Sequence, residues 1–298
     1  MSRAISPSSR QPYGVARVAS IWRVARSSFY AARQRKLHPP QPNKRGPKVL
    51  SDADLLGEIR QLLAAPVFVG EGYRKIWARL RHRGIRTSKD RVLRILRENQ
   101  LLSPSRRPDP KATNPHEGTI ITEAPHQMWG TDATQTTTDE DGTVTIFAAI
   151  DHCTAENIGI HVAKRAHRFE ALEPIRQGVS EYLGGFSQGV AAGMRLRFDH
   201  GSVYMSDDFQ DEIRFLGFEP SPAFVRQPEG NGCIERFFRT LKEQLLWVRR
   251  FRNLEELRQA LLEFRDRYNH QWILERHNYE TPVQARRRLT PIAIPLAA

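Results

Sequence analysis

The spacing of apolar positions divides the chain into a helical first third and a mixed remainder. Within residues 15–35, Val15, Val18, Ala19 and Trp22 recur at helical intervals. The period breaks near Arg23–Arg26, and Ser27 can cap a second helix that carries Phe29, Tyr30 and Arg33. This predicts a short helix-turn-helix over residues 1–36, with Ser27 and Arg33 facing phosphate or base edges. An αα-hairpin with no role on DNA would show the same pattern. Residues 37–50 hold four prolines around a Lys-Arg-Gly-Pro core and read as an extended basic linker. Residues 51–100 predict three more helices. The first lies near 52–64 and is closed by Pro66; the second runs from Tyr73 to Arg83 and stops at Gly84; the third follows a cap at Thr87 or Ser88. The third buries Val92, Ile95 and Leu96 and turns Arg91, Arg94 and Arg97 outward. With Arg74 and Lys75 on the helix before it, this is a candidate DNA-binding module, although a soluble Arg-rich face would have the same pattern. Residues 101–125 are proline-rich, have no clear period, and read as a second linker.

From residue 126 the texture changes. MWGTDATQTT and TVTIFAAIDH are rich in β-branched and aromatic residues, with Asp141-Gly142 between them as a hairpin turn. NIGIHVAK is a third strand. A helix over Phe169–Leu183, a strand in MRLRFDHGS and a helix in DDFQDEIRFLG follow, then a short strand at 218–224. The loop VRQPEGNG leads to a long helix from about 232 to 249, and another helix covers about 254–269. Three antiparallel strands followed by alternating helices and strands predict an α/β chain. Its mixed-sheet core, of the ribonuclease H-like kind, spans residues 126–290, is preceded by all-α modules, and is followed by a tail at 291–298.

Charge sharpens this division. The net charge is +13, yet residues 1–110 hold 24 Lys+Arg against 7 Asp+Glu, while the remainder holds 22 against 26. A basic part that grips DNA joined to a mildly acidic part that does chemistry is the expected organisation. The two cysteines, Cys153 and Cys233, are too few for a disulfide framework and lie in no structural-zinc spacing. No run of about 18 apolar residues and no secretory signal is evident, so a cytoplasmic, nucleoid-associated protein with no membrane partner is expected.

Three acids stand in unusual settings. Asp132 interrupts a strand, where a carboxylate is disfavoured. Asp199 ends an apolar strand immediately before His200-Gly201-Ser202, where catalytic side chains of α/β sheets commonly sit, and where a turn-capping Asp would also fit. Glu235 opens the long helix after Asn231-Gly232. Lys242, seven residues on, is rotated about 20° short of two full turns, so Glu235, Arg239 and Lys242 share one helix face. An ordinary Glu235–Arg239 surface pair would look the same. Three carboxylates can hold two divalent ions, and hard oxygen ligands select Mg²⁺ or Mn²⁺.

WGTD, DHGSVYMS and NGCIERFFRTLK resemble the three carboxylate motifs of retroviral integrases and insertion-sequence transposases. The nearest likeness is to the OrfB transposases of the IS-three family, and it extends to GYRKIWARLRHRGIRTSKDRVLRILRENQL and YNHQWILERHNYETPVQAR. Glu235 follows Asp199 at the spacing of that group, and Lys242 falls where the group carries a basic residue. The resemblance implies a DDE-type active site of Asp132, Asp199 and Glu235 binding two Mg²⁺ or Mn²⁺ ions. It implies nicking that exposes a 3′-hydroxyl, then strand transfer by transesterification. It also implies DNA contacts near Lys242, Arg239, His200 and Asn231, an OrfA partner or fusion, and a homo-oligomer on DNA. A catalytically silent DNA-binding protein and a ribonuclease H-like nuclease are the competing expectations. The N-terminal His/His/Cys/Cys zinc module of retroviral integrases has no counterpart in the sequence.

Overall fold

The computed structural model describes residues 3–38, 50–104, 122–223 and 231–290. Most of both expected linkers, the loop before the long helix and the tail lie outside the described residues. The chain forms two compact units, Met1–Ser51 and Asp52–Ala298.

The first unit carries α1 (Gly14–Ile21) and α2 (Arg26–Leu37), with an isolated bridge between Ile5 and Pro12. Arg23, at φ 52, makes the break that the sequence predicts. Ser27 does not cap α2: the N-cap position is Ala25, which offers no side-chain acceptor, and Ser27 sits inside the first turn. Of the apolar stripe only Ala19 is buried; Trp22, Phe29 and Tyr30 are exposed. Ser27 and Arg33 are exposed as well.

In the second unit, α3 (Asp52–Ala64), α4 (Tyr73–His82) and α5 (Lys89–Glu98) form the expected three-helix module. Leu55 and Ile59, Ile76 and Leu80, and Val92, Ile95 and Leu96 fill its core. Ser88 caps α5 by accepting from the Arg91 N–H at 3.1 Å, and Gly84 leaves α4 at φ 82. The module is not a free-standing bead. Phe68 is buried in the core of the following sheet and stands edge-on to Trp272, with centroids 4.8 Å apart. Gln244 clamps the Val69 backbone twice, accepting its N–H and donating to its C=O, each at 2.8 Å. Trp77 meets Tyr279 edge-on, and Arg74 pairs with Glu275 at 3.0 Å.

The core follows the sequence pattern. Strands β1 (Met128–Thr138), β2 (Gly142–Asp151) and β3 (Asn157–Ala163) form an antiparallel meander. Helix α6 (Arg168–Tyr182), β4 (Arg195–Phe198), α7 (Asp207–Phe215), β5 (Glu219–Pro222) and α8 (Gly232–Leu241) follow, and α9 (Leu254–Gln271) and α10 (Pro282–Leu289) close the fold. The sheet order is β3-β2-β1-β4-β5, with β4 and β5 parallel to β1. Both faces are covered, so β2 is apolar on each side: Val144, Ile146, Ala148 and Ile150 pack with α8 and α9, while Phe147 and Ala149 pack with α6 and α7. Close helix-on-sheet approach requires Gly159, where a Cβ would lie 2.0 Å from the Pro174 carbonyl oxygen.

The long helix expected from 232 to 249 is shorter and irregular. After Leu241 the chain makes a π turn over Lys242–Leu246 and leaves the helix at Trp247. A π turn inserts one residue into the helical ladder, and here that segment presents Gln244 to Val69.

Candidate active site

Strand register brings the two aspartates together. β1 and β4 run parallel, with Gly130 opposite Arg197. Asp132 lies two residues further along β1 and Asp199 two residues further along the neighbouring chain segment, just past the end of β4, so the two aspartates follow the last paired position side by side. Alternation fixes the face. Trp129, Leu196 and Phe198 point to the α6/α7 side, so Asp132 and Asp199 fall on the opposite side, that of α8. The partner of Asp132 on β2, Ala148, packs on that α8 side too. Helix α8 buries Ile234, Phe237, Phe238 and Leu241 against the sheet and leaves Glu235 exposed at its first turn.

Each aspartate is held by backbone. Asp132 Oδ1 accepts the Ala133 N–H at 2.7 Å, and Asp199 Oδ1 accepts the Gly201 N–H at 2.9 Å. The Gly201 turn is tight, since a Cβ there would stand 2.9 Å from Asp199 Oδ1. Asp132 is half-buried, and its carboxyl is pushed up to about 6, first by desolvation and then by the negative charges of Asp199 and Glu235; the Ala133 N–H and the Lys242 ammonium oppose the rise. Burial also raises the Glu235 carboxyl. Three carboxylates and one lysine therefore share one electrostatic neighbourhood. Among the described residues Glu235 makes no hydrogen bond or ion pair, and Arg239 pairs instead with Glu243 at 3.9 Å, so the ordinary Glu235–Arg239 surface pair does not form. Among the described residues no three His, Cys, Asp or Glu side chains already stand in an ion-holding cluster.

The other candidate residues fare unevenly. His200 is exposed in the turn after Asp199. Asn231 is buried, and its Nδ2 turns inward to the Thr131 carbonyl at 3.3 Å; this corrects its expected place on the DNA-facing surface. Arg91 is also corrected: it is half-buried and donates to Asp52 at 2.8 and 2.5 Å rather than facing water. Arg94 bridges Asp52 and Glu98. Lys75 lies against the Trp272 ring and beside Glu71, so its charge is turned toward the protein. Arg97 is exposed, with no ion pair among the described residues.

Sequence reasoning passed over Tyr204 and His152. The Tyr204 ring is buried against Phe198 and Phe209 beneath the two aspartates, and burial with the nearby Asp132 charge pushes its phenol well up. DHGSVYMS held a faint signal for it, an aromatic just after the Gly turn. His152 follows β2 and is buried, which nothing in its local sequence indicates.

The chain is similar to known proteins in sequence. An integrase core domain family matches residues 216–291, and an HTH-like domain family matches residues 70–109. Transposase InsD of insertion element IS2A/D/F/H/I/K from Escherichia coli is 26% identical over 242 residues, covering 79% of this chain and 78% of that protein. The chain is thus similar to insertion-sequence transposases over most of its length, and to the integrase-core and HTH-like families over two separate segments. A 48.2 kDa protein of insertion element IS2A from Escherichia coli is 26% identical over 251 residues, and the chain spans 58% of its length. Among solved structures, a simian T-cell lymphotropic virus intasome chain aligns with a TM-score of 0.49 at 22% identity, over 83% of this chain and 80% of that one. The HTLV-2 integrase catalytic core in complex with magnesium aligns with a TM-score of 0.40 at 18% identity, over 55% of this chain and 97% of that one. The integrase-like core with helical HTH-like segments before it is the fold the sequence pattern predicts. No helix among the described residues is long and apolar enough to cross a membrane.

Proposed function

We propose that the chain nicks the ends of an insertion sequence and joins the exposed 3′-hydroxyl to new DNA, with Asp132, Asp199 and Glu235 as the metal-binding catalytic carboxylates. The supporting observation is the placement of the three acids on the α8 side of the sheet, where burial first, and then the Asp199 and Glu235 charges, raise the Asp132 carboxyl. That donor set fits hard divalent cations: all ligands are carboxylate oxygens, and their mutual repulsion is only partly offset by Lys242. Two Mg²⁺ or Mn²⁺ ions would supply Lewis acidity toward a phosphodiester there.

The chain's own groups divide the remaining work. The Ala133 and Gly201 N–H groups fix one oxygen of each aspartate, which leaves the other directed by the strand register. Lys242, and Arg239 once released from its long contact with Glu243, hold the phosphate backbone beside the acids. His200 flanks the same place. Arg97, and in the first unit Arg33 and Ser27, offer charge or hydrogen bonds to DNA. The element ends and the target are both DNA, an OrfA partner or fusion supplies end recognition, and the protein assembles as a homo-oligomer on DNA.

Asp199→Asn is the direct test. The variant should bind element-end DNA as the wild type does and lose nicking with either cation. Equal nicking by the variant would sink the proposal. Strand joining of a DNA end, rather than hydrolysis of an RNA–DNA hybrid, separates it from a ribonuclease H-like activity.

A further inference from the structure

Beneath the carboxylates lies a small polar cluster that apolar packing does not explain. Gly130 precedes Asp132 on the same face of β1 and leaves a notch there. Two buried side chains converge on the notch: a Cβ on Gly130 would lie 2.5 Å from His152 Nε2 and 3.1 Å from Asn231 Oδ1. Neither atom has a hydrogen-bond partner among the described residues, and both are shut off from solvent. A buried polar atom without a partner is destabilising, so two such atoms facing one notch call for an explanation.

Their protonation suits a mutual bond. Burial, with the Arg276 and Arg197 charges, pushes the imidazole down to about 4, so it is neutral at pH 7. A neutral imidazole carries one N–H, and an amide oxygen only accepts. The His152 backbone is fixed on both sides: its N–H donates to the Met128 carbonyl at 3.0 Å, and its carbonyl accepts from Arg276 Nη2 at 3.1 Å. Asn231 reaches the other way, with Nδ2 donating to the Thr131 carbonyl at 3.3 Å, and it occupies the N-cap position of α8. Thr131 precedes Asp132, and Glu235 lies in the first turn of α8.

We infer that the two groups, unbonded in this structure, close on one another by a small side-chain movement across Gly130, with His152 as the Nε2–H tautomer donating to Asn231 Oδ1, and that this link is a positioning device that sets the start of α8, and hence Glu235, against Asp132. His152 touches no reacting atom; it acts through Asn231. The part of this inference that concerns metal binding rests on the proposed catalytic role of the three acids.

Two readouts test it on the full-length chain. The first needs no metal: nitrogen-15 spectra of histidine-labelled protein, with the His152 signals assigned by their loss in His152→Leu. The expected result is a neutral Nε2–H tautomer whose proton exchanges slowly, and Asn231→Ala should make that proton exchange fast. An Nδ1–H tautomer, or a proton unaffected by Asn231→Ala, would overturn the link. The second is calorimetric titration with Mn²⁺. His152→Leu should weaken binding by at least ~10-fold, as loss of a group that orients metal ligands does. His152→Gln, which keeps an N–H donor, should restore most of it. Gly130→Ala, which fills the notch, should behave like His152→Leu. Equal binding by the Leu and Gln variants would reduce His152 to core filling and overturn the positioning role. If the wild-type chain bound no Mn²⁺, the carboxylate proposal would fail, while the nitrogen spectra would still decide the link.

Discussion

The helical module of α3–α5 and the carboxylate site handle charge in opposite ways. In the module, most of the candidate DNA-contacting residues are matched. Asp52 takes both Arg91 and Arg94, whose hydrogen bonds hold its carboxyl down at about 2. Glu71 takes Arg79 and Lys75, and Glu275 takes Arg74. At the carboxylate site, acids face one another, Asp132 is pushed up to about 6, and Glu235 has no ion-pair partner among the described residues. A fold that matches its charges gains stability, whereas one that gathers like charges gives up stability at that place. The difference teaches where to look for function: the arginines that stood out as DNA contacts largely hold the module together, and the unmatched acids are the groups whose substitution should tell most.

The largest test of this contrast is Asp132→Asn. Nicking should fall at least ~10³-fold, the effect of losing about 4 kcal/mol of transition-state stabilisation. Its unfolding midpoint at pH 7 should nevertheless rise, because a repelled carboxylate is gone. A fall in both activity and midpoint would mean that Asp132 is a structural residue.

Phe68→Ala comes next. Truncating a buried aromatic costs about 3–5 kcal/mol, and here it removes the plug between module and sheet. Calorimetry should show the single transition of the second unit lowered and split. An unsplit, unshifted transition would mean that the module folds independently of Phe68.

The two acids should also leave opposite marks on stability against pH. Asp132 has its folded value raised from 3.8 to about 6, so its contribution is intact below about 4 and is lost as pH rises through about 6. Asp52 has its value lowered from 3.8 to about 2, so its contribution is present above about 4 and is lost as pH falls toward 2. Urea unfolding between pH 2 and 7 should show the upper slope vanish in Asp132→Asn and the lower slope vanish in Asp52→Asn. The same slopes in both variants would contradict the assignment.

The smallest effect separates arginines within one helix. Arg97→Ala should reduce the salt dependence of DNA binding by about one counterion, while Arg91→Ala, which removes the Asp52 bridge, should lower stability more than it changes that slope. The reverse ranking would place Arg91 on the DNA.

Much of the architecture was legible because it rests on local physics. The β-branched and aromatic run of TVTIFAAIDH, the Gly142 turn and the Ser88 cap are set by neighbouring residues, and the strands, hairpin and α5 form where they are expected. Asp132 stood out as an acid inside a strand; Asp199, before a Gly turn, and Glu235, opening a helix, obey ordinary local rules and stood out through the resemblance of their motifs. Local rules failed where distant parts of the chain meet. Ser27 reads as a cap, but the helix begins one residue earlier, at Arg26. The helix through Lys242 reads as continuous, but a π turn follows it where Gln244 holds Val69. Arg91 reads as an outward cation because Asp52 lies 39 residues away.

What the sequence determined, then, is the set of elements and the basic-to-acidic division, since side-chain period and backbone propensity act over a few residues; the three acids it only nominated, through the likeness of their motifs. Only the tertiary structure decided which face the acids share, since that depends on the parallel register of β1 and β4 across an intervening helix. It alone turned Asn231 inward toward Thr131 and brought His152 to the Gly130 notch. Burial and pairing are properties of the packed chain, and no local pattern encodes which distant group will close over a given side chain.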